Sequence, residues 1–418
     1  MNWENYWHEI GQKAKKVART LARATEKEKN QALLMMAAAL EENTPLILEA
    51  NEKDLAQGRE KGLSGALLDR LMLNEGRIHD MADGLKALTA LPDPIGEVTG
   101  MWKRPNGLMI GKKRVPLGVV GIIYEARPNV TVDAAGLCLK TGNAVVLRGG
   151  SEAFHSNQVI TEIISKAAES AGLPGGSVQS VNTTDRAAVD MMLKMNKYLD
   201  VLIPRGGAGL IQHVVNNATV PVIETGVGNC HTYIDDAADL EMALRIAVNA
   251  KTHRPGVCNA METLLVHRDI APKFLPLLKD RLCERGVEIR GCSDTCSIIQ
   301  GVTRANDIDW CTEYLDLIVA VKVVANIDEA IEHITVYGTK HSEAIVTNHY
   351  DNAQKFLEEI DAAAVYVNAS TRFTDGFQFG YGAEIGISTQ KLHARGPMGL
   401  DALTTIKYII YGYGQIRQ

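Results

Sequence analysis

Short β-rich segments alternate with helical segments between residues 130 and 250, and this alternation restricts the possible folds more than any other feature. The β-rich segments are AVVLRGG before a helix from Ser151, SVQSV before a helix from Thr184, DVLIPRGG before AGLIQHVVNNA, and PVIETG. A helix between two strands returns the chain to the edge where it started, so such strands pair in parallel. The pattern predicts a parallel sheet covered by helices.

A second series of the same kind follows Cys258. Its predicted strands are METLLV, VEIRG, LIVAVKVV, SEAIVT and AAVYVN. Asn326 and Glu329 form a capping pattern before a helix that Gly338 ends. A chain of 418 residues is long enough for two cores, because single cores stop growing near ~250 to 300 residues. We therefore expect two α/β units, with the boundary near residue 252.

The remaining segments predict a helical start and β-rich additions. Residues 3–92 repeat apolar positions three and four apart, which is the period of a helix. Residues 97–125 contain short β-rich runs broken by Pro-Asn-Gly, which is a hairpin signal. The last stretch, LTTIKYIIYGYGQIR, has no obvious partner in either unit and can add to the sheet of another subunit.

Charge, hydropathy and cysteine content argue against several classes of protein. A net charge of -6 and a pI near 6.0 give no reason to expect nucleic acid or an anionic membrane as partner. The chain lacks a signal peptide's apolar segment and any run of ~18 apolar residues, so we expect a soluble, cytoplasmic protein. Its seven cysteines are an odd number and suit reduced thiols. Cys292 and Cys296 resemble half a metal site, but no matching second pair exists, so no metal is expected.

Cys258 lies where a turn gives way to a strand, in THRPGVCNAMETLLVHRD. Gly256 on the preceding bend leaves the thiol open on one side. Neighbouring backbone N–H groups can lower the pKa of such a thiol and can hold an oxyanion. A small buried apolar residue is the alternative interpretation of this cysteine.

Several further segments occur in the order that a known family has them: RPNV, VLRGGSEA, PRGGAGL, IETGVGN, EYLDLIV, VYGTKHSEAIVT and VNASTRFTDGF. On these segments the chain resembles the aldehyde dehydrogenase superfamily, and within it the γ-glutamyl phosphate reductase family, from about residue 5 to the C-terminus. The resemblance implies an α/β, aldehyde-dehydrogenase-like fold with two Rossmann-like α/β domains and a β oligomerisation arm. The implied divisions are an NADPH-binding domain (1–98 and 116–252), a catalytic domain (253–401) and an arm (99–115 and 402–418).

The resemblance also implies catalytic roles. Cys258 would be the nucleophile that attacks the acyl carbon of a γ-carboxyl phosphate, giving a thioester that can accept a hydride. The side-chain amide of Asn129 and the backbone N–H of Cys258 would form the oxyanion hole; a helix N-cap is the alternative role for Asn129. Glu224 matches the base that activates water in hydrolytic aldehyde dehydrogenases. A reductase must keep water from the thioester, so we expect a structural or proton-handling part for Glu224.

The cofactor implied by the resemblance is NADPH. Arg148 ends a strand where many aldehyde dehydrogenases have a lysine, and a guanidinium can bind a 2′-phosphate bidentately; a surface arginine is the alternative. Ser151 and Glu152 match neighbouring contacts, although Glu152 would repel a 2′-phosphate. Glu313 matches the residue that holds the nicotinamide ribose hydroxyls; an exposed glutamate at a helix end is the alternative. The glycine-rich turns supply the other predicted cofactor contacts, unless they are only tight turns: Gly206, Gly207, Gly209, Thr225 and Gly226.

The implied reaction reduces L-glutamate 5-phosphate to L-glutamate 5-semialdehyde and phosphate, the second step of proline biosynthesis from glutamate. Its phosphate and amino-acid ends need cationic and hydroxyl partners, each of which is alternatively a solvated polar residue. The candidates are Arg127, His341, Ser370, Thr371 and Arg372. The family further implies a homodimer or homotetramer, and functional coupling to a separate glutamate 5-kinase.

Two other functions stay open from the sequence. One is an NAD(P)-dependent dehydrogenase that oxidises a semialdehyde to a carboxylate, with Glu224 activating water. The other is a redox-sensing or metal-binding scaffold in which Cys292, Cys296 and Cys311 matter and Cys258 is silent. Phosphate dependence of turnover separates the first from the reductase, and a Cys258→Ala variant separates the second.

Overall fold

A computed structural model describes residues 3–417, without the side chain of Ala66. The predicted domain that starts at residue 1 and the predicted arm that ends at residue 418 therefore extend outside the described residues. The chain divides into two compact units. Unit 1 comprises the chain up to Glu224, together with Gly380–Gly386 and the segment from Met398 onward. Unit 2 comprises Thr225–Phe379 and Ile387–Pro397.

Unit 1 begins with helices, as the periodicity of residues 3–92 predicts, and continues into a pair of strands. Their bounds are α1 (Trp3–Leu21), α2 (Glu26–Glu42), α3 (Thr44–Glu60), α4 (Gly65–Leu71), α5 (Glu75–Thr89), β1 (Val98–Lys103) and β2 (Met109–Pro116). Helix α2 begins at a capping box, in which the Thr25 hydroxyl accepts the N–H of Glu28 and the Glu28 carboxylate accepts the N–H of Thr25. None of the helices in residues 3–417 has the length and apolar content to cross a lipid bilayer.

The first alternating series forms a parallel sheet in the order β5-β4-β3-β6. Its elements are β3 (Val119–Tyr124), α6 (Asn129–Lys140), β4 (Ala144–Gly149), α7 (Phe154–Ser170), β5 (Val178–Ser180), α8 (Arg186–Met192), β6 (Val201–Arg205) and α9 (Ala208–Asn217). Every residue of β3 is buried, as expected of an inner strand covered on both faces. The predicted strand PVIETG is wrong, because only an isolated bridge joins Val222 to Leu202 there.

Unit 2 contains the second alternating series and a strand that precedes it. The elements are β7 (Cys230–Ile234), α10 (Leu240–Thr252), β8 (Met261–His267), α11 (Ala271–Cys283), β9 (Glu288–Gly291), α12 (Ser293–Ile298), β10 (Thr303–Arg304), β11 (Ile318–Val324), α13 (Ile327–Tyr337), β12 (Ser342–Val346), α14 (Tyr350–Glu359), β13 (Ala364–Val367), β14 (Ile387–Ser388) and β15 (Gly396–Pro397). The parallel sheet has the order β10-β9-β11-β8-β7-β12-β13, and β14 pairs separately with β15. Short 3₁₀ turns complete the chain at Ser151–Ala153, Asp309–Cys311, Thr371–Phe373 and Asp401–Leu403.

Two apolar layers cover the sheet of unit 2, because side chains alternate across a strand. Leu264 and Val266 of β8 pack in one buried cluster with α10 and α11. Leu265 packs in the other cluster, with α13 and α14. The Asn326 side chain caps α13 by accepting the N–H of Glu329, and Gly338 ends the helix, as predicted.

The boundary between the units lies at residue 224, whereas the sequence analysis placed it at 252. Strand β7 pairs with β8 on one side and with β12 on the other. Helix α10 connects β7 to β8, so residues 225–252 belong with unit 2. The segment CHTYI, residues 230–234, was not predicted as a strand, and the predicted boundary fell too late in the chain for that reason.

The last strand, β16 (Thr404–Tyr411), pairs with β2 of the same chain. The expectation that this tail has no partner within its own chain is therefore corrected. The predicted hairpin is confirmed, since β1 and β2 are antiparallel across the Pro-Asn-Gly turn. We call β1, β2 and β16 the arm sheet. Apolar side chains are exposed on it and just beyond it: Val98, Met101, Trp102, Ile406, Tyr408, Ile410, Tyr411, Tyr413 and Ile416.

Candidate active site

The nucleophile predicted from the sequence, Cys258, lies in the loop between α10 and β8. Its residue is half-buried, which agrees with the prediction of an accessible thiol rather than a core cysteine. Its backbone carbonyl accepts a hydrogen bond from the thiol of Cys230, at 3.1 Å. A methyl group on Gly228 would overlap the carbonyl group of Cys258, so only glycine permits this approach.

Gly228 also joins the Cys258 loop to Glu313. The N–H of Gly228 donates to a carboxylate oxygen of Glu313 at 2.8 Å. The predicted nucleophile and the carboxylate expected to hold the nicotinamide ribose therefore contact the same glycine, within unit 2. No local spacing pattern predicts this contact, because 85 residues separate Gly228 from Glu313.

The segment Ser370–Arg372, predicted to bind substrate, lies beside the Cys258 loop in unit 2. The Thr371 hydroxyl donates to the carbonyl of Asn259 at 2.8 Å, and the Arg372 Nε donates to His253 Nδ1 at 3.3 Å. Desolvation by burial lowers the pKa of Arg372, an effect that its electrostatic interaction with Cys258 opposes. Ser370 and Thr371 are buried, whereas Arg372 is half-buried.

His341, also predicted to bind substrate, is fully buried. Its Nδ1 lies 2.9 Å from the Ser342 hydroxyl and 3.6 Å from the Cys230 sulfur. The Ser342 hydroxyl continues the network to Thr374 Oγ1 at 2.6 Å. Burial raises the pKa of the Cys230 thiol well above its ordinary value, so this thiol acts as a hydrogen-bond donor. Sequence reasoning missed Cys230, and recognising β7 as a strand beside β8 would have found it.

Asn129, the predicted oxyanion donor, is exposed in unit 1 and is the first residue of α6. It does not cap the helix: Pro128 occupies the N-cap and no side-chain cap bond forms there, so the alternative role is not observed. Its Nδ2 instead donates to the Asp133 carboxylate at 3.1 Å. Burial raises the pKa of Asp133 to about 6, and the bond from Asn129 partly offsets the rise. Arg127 lies just before this helix and is half-buried.

Unit 1 contains a cavity of about 390 Å³ at the carboxyl ends of β3 and β4, the edge where open α/β sheets bind ligands. Four of the predicted cofactor residues line it: Arg148, Ser151, Glu152 and Gly209. The other lining residues are Ile123, Tyr124, Glu125, Gly150, Thr184, Arg186, Val189, Asp190, Leu210 and His213. The polar residues among them were not predicted from the sequence, because the cavity is lined by four separate segments of the chain.

Arg148 is 9 % exposed and is held by two backbone carbonyls, those of Gly149 at 3.0 Å and Thr184 at 3.4 Å. Its buried Nε has no acceptor among the described residues. Desolvation lowers the pKa of Arg148; the nearby Glu152 carboxylate opposes this effect and the Arg186 guanidinium adds to it. Two guanidinium groups thus face one cavity, a charge arrangement that an anionic group would stabilise.

The glycine turn after β6 approaches the Glu125 side chain. Gly207 is the N-cap of α9, and its N–H donates to the Glu125 carboxylate at 2.8 Å. A Cβ on Gly206 would overlap the same carboxylate, so a larger residue there would make the flexible Glu125 side chain move aside. The N-terminus of α9 is thus bound by a carboxylate, as helix N-termini bind anions.

The sequence profile of the aldehyde dehydrogenase family matches residues 4–295. A γ-glutamyl phosphate reductase from Moorella thermoacetica is 68 % identical, over 98 % of each chain. One from Clostridium novyi is 64 % identical over 100 % of each chain. The crystal structure of a γ-glutamyl phosphate reductase from Thermotoga maritima superposes with a TM-score of 0.95 at 53 % identity, covering 98 % of this chain and 99 % of that one.

This chain belongs to the γ-glutamyl phosphate reductases of the aldehyde dehydrogenase family. The predicted fold class, α/β and aldehyde-dehydrogenase-like, is confirmed. Aldehyde dehydrogenases use nicotinamide cofactors, and the cavity around Arg148 has the size and charge to accept part of one.

Three of the predicted site residues lie at the boundary between the two units and fall on both sides of it. Glu224 is the last residue of its segment in unit 1, and Thr225 and Gly226 begin unit 2. Gly226 donates its N–H to the carbonyl of Ile387 at 2.8 Å. A Cβ on Gly226 would overlap the Thr389 side chain, so close packing alone accounts for this glycine. The cofactor contacts expected of Thr225 and Gly226 stay predictions.

Proposed function

We propose that this protein reduces L-glutamate 5-phosphate to L-glutamate 5-semialdehyde and phosphate with NADPH, in the second step of proline biosynthesis from glutamate. The observation that carries the proposal is the shared contact at Gly228, whose N–H binds Glu313 and whose backbone packs on the carbonyl of Cys258. This contact supports the proposal, because it brings the backbone of the proposed nucleophile, Cys258, close to the carboxylate that we propose holds the nicotinamide ribose. The names of the relatives from Moorella and Clostridium novyi support the substrate.

In this proposal the Cys258 thiolate attacks the γ-acyl carbon, the bond to phosphate breaks, and a thioester forms. Asn129 and the backbone N–H of Cys258 stabilise the oxyanion, which is worth about 3 kcal/mol of barrier for one donor. When bound, NADPH supplies the hydride. The resulting thiohemiacetal on Cys258 collapses, which releases the aldehyde and restores the thiolate. Glu224 has a structural or proton-handling part and does not activate water.

The choice of NADPH rests on the cavity of unit 1. Arg148 and Arg186 both line it, and the buried Nε of Arg148 has no acceptor among residues 3–417. A dianionic 2′-phosphate would pair with these guanidinium groups. Glu152 lines the same cavity and reduces that preference. Ser151 and the glycines at 206, 207 and 209 would contact the rest of the nucleotide.

Substrate binding is assigned to Arg127, Ser370 and Arg372, whose cations and hydroxyl suit a phosphate and a carboxylate. His341 and Thr371 are fully buried. We propose that they support the Cys258 loop: His341 contacts the Cys230 thiol, and Thr371 donates to the carbonyl of Asn259. The arm sheet, with its exposed aromatic and aliphatic side chains, is proposed to join subunits into a homodimer or homotetramer.

The assay that tests the function runs in reverse, with glutamate 5-semialdehyde, phosphate and NADP⁺, and follows reduced nicotinamide. We expect NADPH formation that requires phosphate and is lost in Cys258→Ser. Oxidation that proceeds equally well without phosphate would contradict the reductase and favour an aldehyde dehydrogenase in which Glu224 activates water. We further propose that the enzyme acts in the cytoplasm and is functionally coupled to a glutamate 5-kinase, which supplies its unstable substrate.

A further inference from the structure

A buried ion pair joins the two ends of the loop that carries Cys258. Lys251 lies in the last turn of α10 and Glu262 lies in β8, so they flank residues 252–261. The Lys251 Nζ is 2.5 Å from Glu262 Oε2, and neither side chain is exposed. Burial raises the pKa of Glu262 to about 7 and lowers that of Lys251, while their mutual attraction opposes both shifts.

The other carboxylate oxygen of Glu262 contacts a different segment of unit 2. The N–H of Leu315 donates to Glu262 Oε1 at 3.2 Å. Leu315 has a φ of +54°, a left-handed conformation that a leucine adopts only when its surroundings hold it there. The Lys251 Nζ also lies 5.9 Å from the centre of the Tyr314 ring, within the range of a cation–π contact. Both members of the ion pair thus hold residues that directly follow Glu313.

Tyr314 is anchored by further contacts. Its hydroxyl donates to Asp309 at 2.8 Å, and the Arg290 guanidinium lies 5.2 Å from its ring centre. Arg290 in turn donates to the same Asp309 carboxylate at 2.8 Å. Because residues 314 and 315 are fixed, the direction of the Glu313 side chain is restricted as well.

These contacts form a closed ring that includes Cys258 and Glu313, the proposed nucleophile and the proposed ribose-binding residue of unit 2. The Cys258 loop is bound to Lys251 and Glu262 at its ends, and Glu262 binds the backbone next to Glu313. Glu313 accepts the N–H of Gly228, and Gly228 packs on the carbonyl of Cys258. A displacement anywhere in this ring changes the distance between the nucleophile and the Glu313 carboxylate.

We propose that the Lys251–Glu262 pair is a positioning element that sets the Cys258 loop against the Glu313 segment. The inference rests on the proposed function, which assigns Glu313 to the nicotinamide ribose. A buried pair is held in a narrow geometry, since moving one charge leaves the other uncompensated. An apolar pair of similar volume would fill the same space but would offer no acceptor to the N–H of Leu315.

The test compares two double variants that both remove the charges. K251M/E262Q retains a side-chain carbonyl that can accept the Leu315 N–H, and K251M/E262M does not. We expect a melting temperature close to that of the wild type for K251M/E262Q, because well-packed neutral pairs often replace buried ion pairs without loss. K251M/E262M should melt slightly lower, because it offers no acceptor to the Leu315 N–H. K251M/E262M should raise the KM for NADPH about tenfold, because the half-buried Leu315 N–H loses the acceptor that holds it next to Glu313. The rise in K251M/E262Q should be clearly smaller.

Lys29→Met is the matched control. Lys29 is another buried lysine, paired with Asp93 in unit 1, and it has no assigned part in the site. This variant should lose stability while its KM for NADPH stays at the wild-type value. Equal KM values in the two double variants, or a rise no larger than that of Lys29→Met, would overturn the positioning proposal.

A measurement without turnover separates this inference from the proposed function. The rate at which iodoacetamide alkylates Cys258 reports the loop's position and needs no substrate. We expect this rate to change severalfold in K251M/E262M relative to K251M/E262Q. If the wild type lacked phosphate-dependent activity, or if Glu313→Gln left the KM for NADPH unchanged, the proposed function or its cofactor assignment would fail. In that case a difference in alkylation rate between the two double variants would still support the positioning role. Equal alkylation rates would overturn it.

Discussion

Replacing Gly228 by alanine should disable the active site with a modest loss of stability. The added methyl would overlap the backbone carbonyl group of Cys258. Because the overlapped atoms belong to the backbone, no side-chain rotation can relieve the clash. Ordinary carbon contacts need about 3.5 Å, so the Cys258 peptide would have to move by more than about 1 Å. Overpacking of this kind typically costs about 1–3 kcal/mol of folding free energy.

The larger effect should be on catalysis, because a misplacement of about 1 Å can reduce the rate about 100-fold. We expect Gly228→Ala to lower kcat by about that factor and to raise the KM for NADPH, since the N–H that binds Glu313 shifts too. The assays are steady-state kinetics, thermal unfolding and the iodoacetamide rate of Cys258.

Gly65→Ala is the matched control for this prediction. Gly65 starts helix α4, and nothing lies within 4 Å of the position an added Cβ would take. Alanine there should leave kcat unchanged and should not reduce stability. A Gly228→Ala enzyme with wild-type kcat and an unchanged alkylation rate would refute the argument that this glycine sets the position of Cys258.

Four further predictions follow from the geometry. Arg148→Gln should raise the KM for NADPH about tenfold or more and change the KM for NADH little, as initial rates with each cofactor would reveal. Asn129→Ala should lower kcat about 100-fold with little change in substrate KM, measured at saturating NADPH. The raised pKa of Asp133, about 6, means the folded state binds a proton more tightly than the unfolded state. Its contribution is therefore present below about pH 4 and lost as pH rises through 6, so Asp133→Asn should gain up to about 3 kcal/mol relative to wild type between these limits, by denaturant unfolding. Trp102→Asp, on the exposed face of the arm sheet, should shift the molar mass toward the monomer in sedimentation experiments.

The parallel sheets, most strands and the helical start followed from the sequence, because hydrophobic periodicity is a local property of the chain. Strand β7 was missed because CHTYI is short and contains a histidine and a threonine, which interrupt an apolar pattern. All five of its residues are nevertheless buried in the folded unit. As a result, the predicted unit boundary, near residue 252, lies 28 residues beyond the observed one at residue 224. The partner of the C-terminal strand was also misjudged, because pairing β16 with β2 joins positions almost 300 residues apart.

The candidate site divides in the same way. Cys258 and its exposed turn could be found from the order of the residues around it, and the resemblance pointed to Glu313 and Arg148. Cys230 would have required recognising β7 as a strand beside β8. The contact of the Lys251–Glu262 pair with the Leu315 segment and the place of Arg186 in the cavity could not be found, because each depends on a segment distant in sequence.

The amino-acid sequence by itself determined the alternation of strands and helices, the turn that carries Cys258, and the family to which the chain belongs. Residue types and spacing along one segment suffice for these. Only the tertiary structure decided that Gly228 contacts both Cys258 and Glu313, and that His341 and Thr371 lie buried beneath the loop. Those facts depend on which strands become neighbours, and parallel pairing across a sheet brings together residues whose separation in sequence carries no signal.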